Sequence, residues 1–183
     1  MTKKTNEVEG WRGRFYEDLV VGDLYRFHIG RTVTEADNVW FTMLTLNTNQ
    51  IHFNADYAAR TEFGRPLVNS GLTVALVLGM SVHDVSQNVL ANLGWKEIVL
   101  PHPVFAGDTL YVESVVLSKR SSRSRPEAGI VTVKTRGLNQ DGQECISFTR
   151  TFLVYRREAG LKVKRFPEPV EPFEVEFEDE DSE

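Results

Sequence analysis

Residues Ser70–Val85 read SGLTVALVLGMSVHDV, and this stretch decides the fold. It is apolar on nearly every side, and a helix without a polar face must be enclosed by other structure. At sixteen residues it falls short of the eighteen or so that a membrane span needs. Gly71 and Gly79 would let a neighbouring backbone come close. Downstream the period changes from helical to alternating. Glu97–Leu100, Thr109–Leu117, Ile130–Leu138 and Glu144–Tyr155 are rich in Val, Ile, Phe, Thr and Tyr, with turn signals at Ala106-Gly107-Asp108 and Asn139-Gln140-Asp141-Gly142. On the last of these segments Ile146, Phe148, Phe152 and Val154 share a face that Arg150 interrupts. One buried helix followed by long hairpin-linked strands predicts an α+β fold, an antiparallel sheet curled around that helix.

Upstream of the helix, Phe15–Arg26 reads as two short extended pieces about a Gly22-Asp23 turn. Thr34 and Asp37 form a capping-box pattern, and Val39, Trp40, Met43, Leu44 and Leu46 then recur at helical spacing. Asn54 caps a short helix from Ala55 to about Arg60, which the Phe63-Gly64-Arg65-Pro66 stretch ends. The predicted organisation is a polar arm (1–14), one domain (15–166) and a tail (167–183).

The 183 residues carry 21 Lys+Arg against 26 Asp+Glu, a formal charge of -5. Nine of those acids lie in the last sixteen positions, so residues 1–166 hold 17 acids against all 21 bases, a body of +4. The single cysteine, Cys145, can form no internal disulfide, and the four histidines do not cluster at metal spacing. A cytoplasmic protein without a metal, a nucleic-acid partner or a membrane anchor is expected.

The densest set of chemically capable side chains is Leu46-Asn47-Thr48-Asn49-Gln50-Ile51-His52-Phe53-Asn54, a loop between two helices. A histidine held there can take up and return a proton near neutral pH, and an amide five residues earlier can reach the same water. Read from the pattern alone, the same residues also fit plain helix caps and a histidine bonded to the loop backbone.

The string TLNTNQIHFNADYAARTEFGRPLVNSGLTVALV resembles the MaoC-like hydratases of the hot-dog fold, whose motif runs roughly Asp-x-Asn-Pro-aliphatic-His before a short helix, an Arg-Pro-aliphatic-Val-His-Gly turn and the central helix. Thr34–Asp37, Phe15–Gly22 and Leu100–Asp108 add to the resemblance, which covers most of residues 15–156. It implies hydration of an α,β-unsaturated acyl-CoA, with coenzyme A present only as part of the substrate and no cofactor. His52 matches the family histidine and acts as general acid/base; Asn49 matches its asparagine. The backbone N–H groups of Ser70 and Gly71 would receive the thioester oxygen. A homodimer or larger homo-oligomer is implied, because in this fold two sheets usually pair.

The site departs from the motif: Asn47 stands in place of the aspartate, Gln50 in place of the proline, and Asn69-Ser70 in place of His-Gly. Asparagine cannot exchange a proton near neutral pH but can orient a water. The NTNQIHF loop is most similar to the subgroup acting on mesaconyl-CoA and itaconyl-CoA. Such substrates bring their own carboxylate, beside which a second anion is unfavourable. Arg60 and Arg65 could clamp that carboxylate or serve in surface ion pairs. Arg123 and Arg125, in the KRSSRSR run, could receive coenzyme A phosphates or be solvated. A hot-dog thioesterase and an acyl-CoA-binding subunit without catalysis are the alternatives. The tail alternates Phe173, Val175 and Phe177 with acids, a pattern that fits an added edge strand or disorder.

Overall fold

Five strands form one antiparallel sheet in the order β1-β3-β4-β5-β2 in the computed structural model, which describes residues 6–159, 166–173 and 175. They are β1 (Leu24–Thr32), β2 (Val89–Val99), β3 (Thr109–Ser121), β4 (Ala128–Leu138) and β5 (Glu144–Tyr155). The helices are α1 (Glu35–Leu44), α2 (Ala55–Ala59) and α3 (Ser70–Ser81), the last followed by a π-helical turn over Val82–Ser86. The chain divides into two units, residues 13–160 and the termini, 1–12 with 161–183. In the terminal unit Arg12 pairs with Glu9 at 2.7 Å, and the described tail residues carry no strand. Glu174 and residues 176–183, with Phe177, lie outside the described residues.

The register of the sheet lines up Val112, Gly137 and Ile146 across β3, β4 and β5, and four residues along Val116, Val133 and Arg150. Pleating turns these rows to one face, where α3 lies. The approach is close at Gly137, where a Cβ would stand 2.5 Å from Val77 Cγ2. This curled sheet about a helix is the α+β hot-dog arrangement that the sequence resemblance implied.

Several expectations are corrected. The helix over 70–85 is α-helical only to Ser81, and its enclosure is one-sided. Leu72, Thr73, Val77 and Ser81 are buried, while Gly71, Ala75 and Gly79 form an open stripe. The first extended piece before Gly22 is instead a 3₁₀ turn over Tyr16–Asp18. β2 begins at Val89 rather than Glu97; its three register shifts against β5 and its Asn92, Gly94 and Lys96 hide the alternation that signals a strand. In α1 the capping box forms as read, with Thr34 N–H donating to Asp37 Oδ2 at 2.8 Å and Asp37 N–H to Thr34 Oγ1 at 3.1 Å. Of its apolar residues Phe41 packs on the core, but Trp40, Met43 and Leu44 point outward. Trp40 and Leu44 are 70% and 77% exposed, and the residues that α1 buries are Asn38 and Thr42.

Candidate active site

The inward face of α1 is polar because of what it holds. Asn38 and Thr42, one helical turn apart, both bond to Asn69, the cap of α3: Asn69 N–H donates to Asn38 Oδ1 at 2.8 Å and Asn69 Nδ2 to Thr42 Oγ1 at 3.2 Å. The amide of Asn38 also donates to the carbonyls of His52 (2.8 Å) and Leu67 (3.0 Å). The backbone of Leu67 is stitched on one side to Ile51 O, and Val68 N–H bonds Val104 O. The loop, the turn before α3 and the strand-like stretch at 104–105 are thereby drawn together.

His52, 8% exposed, places Nδ1 2.8 Å from Leu67 O. A carbonyl only accepts, so Nδ1 carries the proton and the neutral ring keeps its lone pair on Nε2. Leu67 also lines a cavity of about 220 Å³, with Phe63, Ser70, Thr73 and the Leu100–Val104 segment. Ser70 opens α3, so its N–H sits at the positive end of the helix dipole.

The two amides proposed for an oxyanion separate here. Gly71 N–H is committed to Asn69 Oδ1 at 2.9 Å, as a capped helix demands, whereas no protein acceptor takes the Ser70 N–H among the described residues. Ser70, a residue of the cavity lining, is left with the uncommitted amide. Asn47 Oδ1 accepts Asn49 N–H at 3.0 Å, Asn49 Oδ1 accepts Ile51 N–H at 3.3 Å, and Asn54 Oδ1 accepts Tyr57 N–H at 3.0 Å. Asn54 therefore caps α2 as the capping reading expects, and Asn49 caps the 3₁₀ turn over Gln50–His52, whereas Asn47 bonds within a turn and caps no helix; His52 keeps its Nε2 available.

The outlying arginines do not join this group. Arg60 pairs with Asp56 one turn away on an exposed surface. Arg65 stacks 3.9 Å over the Phe105 ring, beside Phe63 of the cavity wall. Arg123 and Arg125 lie past the far end of β3, and Arg125 pairs with Glu127 at 3.6 Å. The strand's thirteen residues put that end about 40 Å from Thr109. With Arg120, Arg123 edges a separate hollow. Arg123 and Arg125 thus lie apart from the cavity, whereas Arg65 stands next to its wall.

Of two further residues at the site, the sequence offers one, His102, as a weaker candidate than His52 and gives no motif for the other, Asn38. His102, between two prolines, lines the cavity and holds Nδ1 2.7 Å from Glu144 O. Asn38 has no motif signal; its sole mark in the sequence is a polar residue at a turn's spacing from Thr42. Among the described residues no three His, Cys, Asp or Glu side chains are placed to hold a metal ion.

A hot-dog sheet with His52 held on a carbonyl of the cavity wall, and the first residue of α3 in that wall, defines a MaoC-like acyl-CoA hydratase/dehydratase architecture. The profile of the family described as Mesaconyl-CoA hydratase matches residues 3–163, and the chain belongs to that family. It is 32% identical over 160 residues to the mesaconyl-CoA hydratase of Cereibacter sphaeroides, covering 87% of this chain and 46% of that protein. Among solved structures, a putative MaoC domain dehydratase from Chloroflexus aurantiacus superposes with a TM-score of 0.78 at 27% identity, covering 91% of this chain and 47% of that one. The MaoC-like dehydratase from Rhodospirillum rubrum gives 0.70 at 30% identity over 79% of this chain and 99% of that one. The chain thus spans about half the length of the mesaconyl-CoA hydratase it matches.

Proposed function

We propose that the protein catalyses reversible hydration of an α,β-unsaturated acyl-CoA, with mesaconyl-CoA or itaconyl-CoA as substrate. The observation that carries this reading is His52, its Nδ1 proton held on the carbonyl of Leu67, a residue that lines the same cavity as Ser70, whose N–H is uncommitted. His52 Nε2 takes a proton from water as the water oxygen bonds to the β-carbon. The π electrons of the alkene shift through the α-carbon onto the thioester oxygen, where Ser70 N–H stabilises the enolate. The enolate collapses as the α-carbon takes back the proton from His52. Every step is a proton transfer or a polarisation that these groups supply, and coenzyme A enters only with the substrate. Asn47 orients the water by a turn of its amide; a neutral group there spares the substrate's own carboxylate a second anion.

A second copy of the chain completes the assembly in this reading. β2 is an edge strand carrying exposed Leu93, Trp95, Ile98 and Val99, and α3 offers the open Gly71-Ala75-Gly79 stripe. A long apolar edge is a template for pairing with another chain. In this reading the reaction takes place in the cytoplasm; separately, no helix among the described residues is long and apolar enough to cross a membrane.

Incubation with a panel of enoyl-CoA thioesters, followed by product mass, tests this function. A gain of one water on mesaconyl- or itaconyl-CoA, lost in His52→Ala, is expected. Release of free thiol would establish a thioesterase instead, and binding without turnover an acyl-CoA-binding subunit.

A further inference from the structure

Asn38 sits 2% exposed between the three segments that build the site, and its side chain is fully used. Nδ2 donates both protons to carbonyls, His52 O and Leu67 O, and Oδ1 receives Asn69 N–H. The amide orientation is fixed by its partners, since the reverse rotamer would face two carbonyls with an oxygen and an N–H with an NH₂.

The bond to Leu67 O has a chemical consequence. That oxygen takes two donors, Asn38 Nδ2 at 3.0 Å and His52 Nδ1 at 2.8 Å. Two lone pairs are thereby occupied, and Asn38 sets the direction in which the carbonyl presents the one that binds the imidazole. The same amide fixes the backbone of His52 itself and, through Asn69, the start of α3, whose first residue, Ser70, lines the cavity.

We propose that Asn38 is a positioning residue: it holds His52 in the Nδ1-protonated tautomer, with Nε2 unprotonated, and sets the ring in register with the Ser70 N–H. The role rests on the hydratase reading for its kinetic consequence but not for its structural one. α1 turns a polar face inward because this clamp needs an amide and a hydroxyl, and its apolar stripe is displaced to the surface.

The test uses Asn38→Leu, close in shape but without hydrogen bonds, and Asn38→Ser, a smaller change should the first fail to fold. The ¹⁵N shifts of the His52 ring at pH 8 report its tautomer without any substrate. Wild type is expected as the Nδ1–H form and the variants as a mixture. With the acyl-CoA that wild type hydrates, kcat is expected to fall about 100-fold while KM changes less than about threefold, because misplacement of a reacting group by an ångström costs that much. Measured well below the melting temperature, a purely structural role would leave the ring tautomer and kcat of the folded variant unchanged, and that result overturns the proposal. A wild type without hydratase activity whose tautomer nonetheless shifts in the variants would sink the functional reading and leave the Asn38 clamp standing. An active wild type with variants of unaltered tautomer would do the reverse.

Discussion

His52 Nδ1 lies 2.8 Å from the carbonyl oxygen of Leu67, fifteen residues further along the chain. A backbone carbonyl, which cannot ionise, therefore orients this imidazole, and Nε2 is the single ring atom free to exchange a proton. His52→Ala should lower kcat for hydration by about 10² to 10⁴, the usual worth of a general acid/base. Circular dichroism should be unchanged, since the Leu67 stretch remains tied to Ile51 and to the Val104 region.

Ser70 occupies the first position of α3, after an Asn69 cap at φ -57°, ψ 127°. A proline fits there: the first helical position tolerates it, and the residue before it already has the extended backbone that proline demands. Ser70→Pro deletes one N–H with little cost to the helix. Turnover should fall about 10²-fold or more with the melting temperature nearly unchanged, while Ser70→Ala should retain turnover. Comparable loss in both variants would assign the chemistry to the hydroxyl.

Asn47 presents Oδ1 to Asn49 N–H, a bond that an aspartate would also make. Asn47→Asp should therefore fold normally. Its effect on turnover should depend on substrate charge, with hydration of crotonyl-CoA gaining relative to mesaconyl- or itaconyl-CoA, because the added carboxylate faces a second anion only in the latter. Steady-state kinetics on both types of thioester measure the ratio; equal gains would refute charge avoidance.

On the sheet's other face, Glu113 bonds Arg26 Nε at 2.9 Å and Arg136 Nε at 2.7 Å. The Arg26 hydrogen bond foremost, with Arg136 adding to it, holds the Glu113 carboxyl below the ordinary glutamate range against the opposing effect of burial. A carboxyl depressed in the folded state contributes stability above its unfolded value, and that contribution is lost as pH falls through the folded one. Melting temperature should therefore drop on acidification below about pH 4.5. Glu113→Gln should be less stable at pH 7 and lose less between pH 5 and 3.

Arg150 is 2% exposed where the two core clusters meet, between Phe148 and Phe152. It donates to Ser86 Oγ at 2.9 Å and stacks on the Phe152 ring, while its Nε has no partner among the described residues. Burial pulls its pKa down to about 10. For a base whose folded value is depressed, the penalty of the buried charge is in full force below that value, so it is constant across neutral pH. Arg150→Met keeps most of the volume and removes the charge. Urea denaturation at pH 7 should show a gain of about 1 to 3 kcal/mol.

Much of the fold was legible because its signals are local. The Thr34-Asp37 capping box, the Asn54 cap and the 106–108 and 139–142 turns form as read, and β3, β4 and β5 follow their alternation of side chains. His52 and Ser70 were legible as site candidates through the motif around them. Hidden features depend on distant partners. β2 carries irregular pairing along its length, and His102 reaches the cavity only because Leu100–Val104 runs beside Leu67 and Ser70.

By itself the sequence determined a helix that no water-facing surface could accommodate, the strands that must cover it, and a histidine loop ahead of it. Tertiary structure alone decided that α1 buries Asn38 and Thr42 instead of its tryptophan and leucines, and that the Asn69 cap uses the Gly71 amide and leaves Ser70 free. The physical reason is the range of the interactions. Periodicity and capping act within a turn or two of chain, whereas Asn38 and Asn69, the pair that sets the inward face of α1, stand 31 residues apart and meet only when the fold brings them together.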